Sequence, residues 1–159
     1  MTADLIEAES AQDRYLTVSG LRIRYRIAGQ GEPILLVHGL GASLEFWDWT
    51  LPLLSRRYQV AAFDLPGFGW SDTPPYELFS LEGATKLIAG VLDALGWRSA
   101  TIIGNSMGGL LALNLALTES KRVDRLVLVN GGGLGQEVRW TLRALVPPLF
   151  GHEEHHDLD

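Results

Sequence analysis

Cysteine is absent from the 159 residues. That excludes a disulfide framework, a thiolate nucleophile and thiolate metal ligation, and leaves oxygen chemistry as the main catalytic option. Basic residues are also in short supply: 13 Lys and Arg stand against 19 Asp and Glu, a formal net charge of −6. They form no stripe, so neither a nucleic acid nor an anionic membrane surface is an expected partner, and a small, uncharged or weakly charged substrate fits better. No apolar run is long enough to cross a bilayer. The greasiest, Met107 to Leu117, is shorter than the roughly 20 residues a spanning helix requires, and Asn114 interrupts it. The opening residues, Met1 to Asp13, are polar and acidic and lack the positive start and apolar stretch of a secretory signal. The expectation is a cytoplasmic protein with no metal and no cofactor.

What the chain does have is apolar content, 47% hydrophobic and 9% aromatic, enough to bury a core as one domain. Tyr15 to Val18 and Leu21 to Ala28 are short β-rich runs joined at Ser19-Gly20, where glycine suits a tight hairpin turn. The runs Ile34 to Val37, Val60 to Phe63, Thr101 to Ile103 and Leu126 to Val129 are apolar without alternation, the pattern of strands covered on both faces. Between them, Leu81, Ala84, Ile88, Val91, Leu92 and Leu95 fall on one helical stripe, with Ser80 as N-cap and Gly96 as C-terminal stop. Met107 to Leu117 is apolar nearly all round and reads as a helix buried against the sheet. This alternation predicts an α/β fold with a doubly wound, mostly parallel sheet and helices on both faces. Along the chain it divides into an N-terminal extension (1–14), a core (15–134), a segment with a short helix near Glu137 to Leu145 and then Pro147-Pro148 (135–150), and a polar tail (151–159) without apolar period.

Three loops carry the chemistry. Gly104-Asn105-Ser106-Met107-Gly108 lies between the strand Thr101 to Ile103 and the buried helix, and a glycine-flanked serine in strand–turn–helix context is the nucleophile-elbow pattern. The turn strains the serine backbone and lifts its oxygen above the sheet edge, and glycine at 104 and 108 removes collisions there. The following helix aims its N-terminus, with its partial positive charge and free N–H groups, at the oxyanion that develops. His38-Gly39-Leu40-Gly41 follows the strand ending at Val37. Its glycines let a backbone N–H turn toward the serine, so the Leu40 and Met107 amides are the predicted oxyanion hole, each donor worth roughly 3 kcal/mol. The third loop, Asp64-Leu65-Pro66-Gly67-Phe68-Gly69-Trp70-Ser71, is a tight turn in which Asp64 and Ser71 satisfy loop N–H groups. His38, Gly39, Gly41, Asn105 and Trp70 are the candidate loop and pocket-shaping residues, Trp70 as a pocket wall.

In this order and spacing the three loops resemble the α/β-hydrolase superfamily, over about Tyr15 to Pro148. Gly104-Asn105-Ser106-Met107-Gly108-Gly109 and the glycine-rich run ending Leu134-Gly135 resemble the meta-cleavage product hydrolases, which cleave carbon–carbon bonds of ring-fission products, and related esterases. The resemblance implies that Ser106 is the nucleophile of a hydrolase acting, without a cofactor, on an ester or an activated carbon–carbon bond of a small molecule. The serine sets the chain apart from epoxide hydrolases and haloalkane dehalogenases, which carry an aspartate at the elbow. The resemblance also implies a cap, starting within 135–150, and later strands that bring an acid and then a histidine. Neither is found here. After Ser106 the acids are Glu119, Asp124, Glu137, Glu153, Glu154, Asp157 and Asp159, none just after an apolar strand, and the position after Val129, acidic in some relatives, is Asn130. The alternative expectation is a catalytically incomplete hydrolase portion that serves as a binding or complementation module.

His38 precedes the oxyanion loop and is read as its hydrogen-bonding anchor rather than as a base. His152, His155 and His156 lie in the unpatterned tail and are read as neither metal site nor base. Leu126 to Val129 has no later strand to pair with, and an unpaired apolar edge recruits another chain, so self-association or a complementing chain through 126–129 is expected.

Overall fold

The computed structural model describes residues 11–76 and 80–130. The helix expected near Glu137 to Leu145, Pro147-Pro148 and the tail with its three histidines lie outside the described residues. Ser19 and Gly20 both take positive φ, 50° and 81°, the geometry of a two-residue type I′ hairpin. They join β1 (Arg14–Val18) to β2 (Leu21–Ala28), with Val18 opposite Leu21. With β3 (Pro33–Val37), β4 (Gln59–Phe63), β5 (Ala100–Asn105) and β6 (Val123–Val129) they form a six-stranded sheet in the order β1-β2-β4-β3-β5-β6. The pairs β1–β2 and β2–β4 are antiparallel and the remaining pairs parallel. After β4 the chain passes to the other side of β3 to enter β5. A reversal of this kind opens a crevice at the carboxyl ends of the two strands beside it, here β3 and β5.

The central strands are covered on both faces, as their unbroken apolar runs require. Leu35 and Val37 of β3 pack in one cluster with α2 (Leu81–Ala94) and α3 (Met107–Thr118); Ile34 and Leu36 pack in the other with Leu44 and Trp47 of a 3₁₀ turn and Leu51 of α1 (Thr50–Leu54). β6 departs from the expectation of cover on both faces. Leu126 packs toward the α3 side, while Val127 and Val129 are 43% and 37% exposed, and β6 is an edge strand among the described residues. An apolar run does not by itself show that both faces of a strand are covered.

α2 starts and stops as its sequence predicts. Ser80 Oγ accepts from the Gly83 N–H at 2.9 Å. At the other end Gly96 takes φ 74°, and the Trp97 and Gly96 amides donate to the Leu92 and Asp93 carbonyls at 2.8 and 2.9 Å, a Schellman closure. The buried face is wider than the expected stripe and includes Gly83, Thr85, Leu87 and Ala89, because α2 packs on β1 and α3 at once. Asn114, the polar break in α3, donates to Thr85 Oγ1 at 2.9 Å and so ties the two helices together.

The approach of α2 to β1 depends on Gly90, where a Cβ would overlap Val18 Cγ1. Alanine for glycine in an open helix interior gains about 1 kcal/mol, but overpacking a stiff β-branched neighbour costs about 1–3 kcal/mol. Gly90→Ala is expected to lower the urea midpoint, and Val18→Ala in the same chain to recover part of that loss, a favourable coupling readable in a double-mutant cycle. Additive effects, or a stabilised Gly90→Ala, would show that the two elements do not meet as described.

Candidate active site

Ser106 follows β5 with φ 52° and ψ −117°, a backbone region that costs a non-glycine residue on the order of 1–3 kcal/mol and persists only when its surroundings enforce it. The enforcement is steric. A Cβ on Gly104 would run into the Gly108 carbonyl and stand 2.6 Å from the Gly109 nitrogen; one on Gly108 would run into the carbonyl oxygens of Val37 and His38. Gly104 thus clears the elbow's own turn, whereas Gly108 clears the end of β3. Hydrogen bonds hold what the glycines permit: the Ser106 N–H donates to the Val129 carbonyl at 3.0 Å, and the Ser106 carbonyl accepts from Gly109 and Leu110 at 2.9 and 3.2 Å. Met107 is the first residue of α3, a position whose amide has no acceptor within its helix.

The glycine loop after β3 lies directly against this turn. A Cβ on Gly39 would stand 3.1 Å from Ser106 Cβ and 3.2 Å from both Asn105 Nδ2 and the Asn105 carbonyl. The Ala42 N–H donates to the Gly39 carbonyl at 3.3 Å and Gly41 takes φ 70°, so Leu40 occupies the corner of a turn with glycine at its left-handed position. His38, Gly39, Leu40, Gly41, Asn105, Ser106 and Met107 are therefore gathered at the carboxyl ends of β3 and β5.

His38 is fully buried and both of its ring nitrogens are engaged. The Leu65 N–H donates to Nε2 at 2.9 Å, which fixes that nitrogen as an acceptor; the ring proton then sits on Nδ1 and is donated to the Gly39 carbonyl at 2.8 Å. Burial pushes its pKa below the usual histidine value and outweighs the Gly39 bond and the pull of Asp64. The ring meets Phe68 edge-on at 5.8 Å. His38 is thus a neutral strut between the glycine loop and the loop after β4, with no nitrogen left for proton transfer.

Asp64, also fully buried, joins the same loops a second time. Its Oδ1 accepts from the Leu44 N–H at 2.7 Å, and its Oδ2 from the Trp70 N–H at 2.8 Å and from Arg24 Nη1 at 3.3 Å. Ser71 Oγ accepts from the Arg24 N–H and donates to the Asp64 carbonyl, at 2.9 and 2.8 Å. The Arg24 side chain, 3% exposed, further binds Asp13 at 2.8 Å and Glu45. Burial opposes its charge, but the bonds from Glu45 and Asp13 prevail and the guanidinium holds its proton more firmly than a free arginine. Sequence reasoning missed Arg24. The available signal was Arg22, Arg24 and Arg26 at alternate positions of β2, a cationic face on a strand of an acidic chain.

Other candidates are not drawn in. The Trp70 backbone is fixed by Asp64 but the residue is 69% exposed. Glu119 ends α3 and Asp124 begins β6, each a whole element away from Ser106, and Asn130 stands with φ 47° after β6. Among the described residues there is therefore no carboxylate–imidazole pair free to serve Ser106, no cluster of three groups suited to a metal, and no helix long and apolar enough to cross a membrane. A cavity of about 360 Å³ lined by Glu32, Pro33, Thr101, Asp124 and Arg125 lies at the opposite, amino-terminal end of the strands.

The mostly parallel sheet with its crossover at β3, and the sharp strand–turn–helix junction at Ser106, define an α/β-hydrolase core. The family described as alpha/beta hydrolase fold matches residues 32–150, and the chain belongs to it. The 2-hydroxy-6-oxo-6-(2'-aminophenyl)hexa-2,4-dienoic acid hydrolase of Metapseudomonas resinovorans is 34% identical over 92% of this chain and 52% of its own length. A meta-cleavage product hydrolase from Pseudomonas fluorescens IP01 superposes with a TM-score of 0.69 at 37% identity, over 74% of this chain and 44% of that one. A membrane phospholipase A described as a bacterial virulence factor gives 0.75 at 32%, over 79% and 41%. The relationship to meta-cleavage product hydrolases and esterases is thus established, and the chain spans about half the length of the curated relatives it matches.

His38 gives a pH dependence with a definite sign. Its folded pKa lies below the unfolded value near 6.5, so the unfolded chain takes up the proton first, and stability present above pH 6.5 is lost as pH falls toward the folded pKa, by at most about 1.4 kcal/mol per pH unit. Asp13 and Glu45, whose pKa values are lowered by Arg24 against the effect of burial, act only below their own unfolded values near 4. Urea midpoints measured between pH 7.5 and 5.5 are expected to fall in the parent chain and to stay nearly level in His38→Gln. An equal slope in both would remove His38 as the source.

Proposed function

We propose that this chain is the nucleophile-and-oxyanion portion of a serine hydrolase, catalytically incomplete by itself and completed by sequence that brings an acid and a histidine. The reading rests on one observation above the rest, the left-handed Ser106 within van der Waals reach of the Gly39 loop. In this reading Ser106 Oγ attacks a carbonyl carbon, and the tetrahedral oxyanion is held by the Leu40 and Met107 amides, two backbone donors set before reaction starts. The proton of Ser106 passes to the incoming histidine, which the acid orients and which then protonates the leaving group. The substrate class is a small molecule with an ester or an activated carbon–carbon bond next to a carbonyl, supported by the dienoate hydrolases among the relatives. Asn105, against Gly39, shapes its pocket, and the exposed Trp70, held at its amide by Asp64, is its outer wall.

The completing segment docks on β6. Its exposed Val127 and Val129 and its unpaired edge among the described residues suit an added strand. Without that segment the same edge favours self-association, so light scattering over a dilution series should give a mass above the monomer that falls on dilution. A monomer at every concentration, with no binding of a hydrophobic dye, would count against this edge.

Turnover of a p-nitrophenyl ester tests the chemistry. Supplying the C-terminal portion of a meta-cleavage product hydrolase, fused or in trans, is expected to raise thermal stability and esterase rate together, and Ser106→Ala to abolish the added rate with unchanged far-UV circular dichroism. The chain alone should reach no more than the roughly 10³-fold over water that an oxyanion hole and binding supply without a proton relay. Replacing His152, His155 and His156 by alanine should leave that basal rate as it was. Full activity in Ser106→Ala refutes the nucleophile, and a rate lost in the triple variant makes the tail the base.

A further inference from the structure

The oxyanion loop and the Trp70 loop leave different strands, yet both hang from a single carboxylate. Between the anchor at His38 and the next fixed backbone atom, the Leu44 amide, the glycine loop has only residues 39–43 in which to move, and the downstream anchor is Asp64 Oδ1. The other oxygen of the same carboxylate holds the Trp70 amide. Gly69 exists in this arrangement because a Cβ there would fall on the Asp64 carboxylate. Arg24 fixes the carboxylate from below and also binds Glu45, which accepts from Ser43 Oγ at 2.6 Å. Residues 43–45 of the oxyanion loop are therefore bonded twice to one buried cation–anion pair.

We propose that Asp64, braced by Arg24, is a positioning residue that sets the Leu40 amide and couples it to the Trp70 wall, so that substrate contact at Trp70 is felt at the oxyanion hole. The functional part rests on the serine-hydrolase reading; the coupling between the loops does not. Its consequence is that the carboxylate acts on the chemical step without touching substrate. Displacing one oxyanion donor weakens an interaction realised in the transition state, which lowers kcat and leaves KM nearly unchanged.

The test is made on the full chain, labelled with ¹⁵N. In Asp64→Asn the Leu44 and Trp70 amide protons, which lose an ionised acceptor, are expected to move upfield together, and the Leu40 resonance to move with them, while Asn114 and its neighbours in α3 stay in place. Asp72→Asn, which alters the same β4 loop at the Arg22 amide, should leave Leu40 unmoved. If Asp64→Asn does not fold, Glu45→Gln loosens the same brace from its more exposed end and should shift Leu40 and Leu44. A folded Asp64→Asn or Glu45→Gln in which Leu40 stays put overturns the proposal, as does a Leu40 shift of equal size in Asp72→Asn. In the chain completed by a relative's C-terminal portion, Ser106-dependent esterase activity of Asp64→Asn should fall in kcat by about tenfold or more with KM within about twofold; a change in KM alone overturns the proposal. Absence of any Ser106-dependent turnover refutes the hydrolase reading instead, and the resonances still decide the coupling.

Discussion

At the carboxyl ends of β3 and β5 backbone meets backbone with no room for a side chain between. Gly104 lies against Gly108 and Gly109, Gly108 against the last carbonyls of β3, and Gly39 against Ser106. Neighbouring parallel strands are only about 4.8 Å apart, so a chain that leaves β5 and turns at once into a helix must fold back over the end of β3. Three missing Cβ atoms make that turn possible, and Ser106 takes its left-handed conformation as a result. Its strain is distributed over bonds to both neighbours, α3 through Gly109 and Leu110 and β6 through Val129.

Charge forms a second layer around this steric one. Arg24 is taken out of water on β2 and surrounded by Asp13, Glu45 and Asp64. A buried charge of this kind is a weak source of net stability, since desolvation offsets most of the attraction, but removing one partner costs about 3–5 kcal/mol. The asymmetry makes the cluster a device for fixing geometry: the fold gains little from having it and loses much from misplacing it. The cluster lies on the face of α1 and the 3₁₀ turn, opposite the Ile23 side of β2, and holds the loops from there.

Much of this was legible in the residues, for a physical reason. Glycine, serine caps and hairpin turns act through local backbone geometry, so Ser19-Gly20, Ser80, Gly96 and the elbow glycines announce themselves within a few positions. The two-sided cover of β3 and β4 was readable because an interior parallel strand has no polar alternation. Arg24 was not readable, because its partners stand 11, 21 and 40 residues away and nothing local marks an arginine on a strand as buried. α1 escaped notice because five residues containing Pro52 are too few for a helical period. The exposed face of β6 at Val127 and Val129 was not readable, because an apolar run carries no mark of how much of it is covered. That Leu40 and Met107 stand at the carboxyl ends of β3 and β5 was readable from loop position alone, while the place of Trp70 depends on Asp64, a tertiary contact.

The division of chemical labour follows from the same distinction. Everything proposed for the elbow side, namely the attitude of Ser106 as nucleophile and the two oxyanion donors, is built from main chain, and main-chain geometry is fixed by steric exclusion over short stretches. Proton transfer has no main-chain substitute, because it needs an imidazole and a carboxylate with matched protonation, and the only histidine among the described residues, His38, is consumed as a strut. The two tasks meet at β6. The Val129 carbonyl, which accepts the Ser106 N–H, belongs to the strand that is the sheet edge among the described residues, and edge backbone opens more readily than backbone paired on both sides. A strand laid along β6 would therefore steady the hydrogen bond that holds the serine in its strained conformation, so that under the proposed function completing the sheet and readying Ser106 are a single structural event.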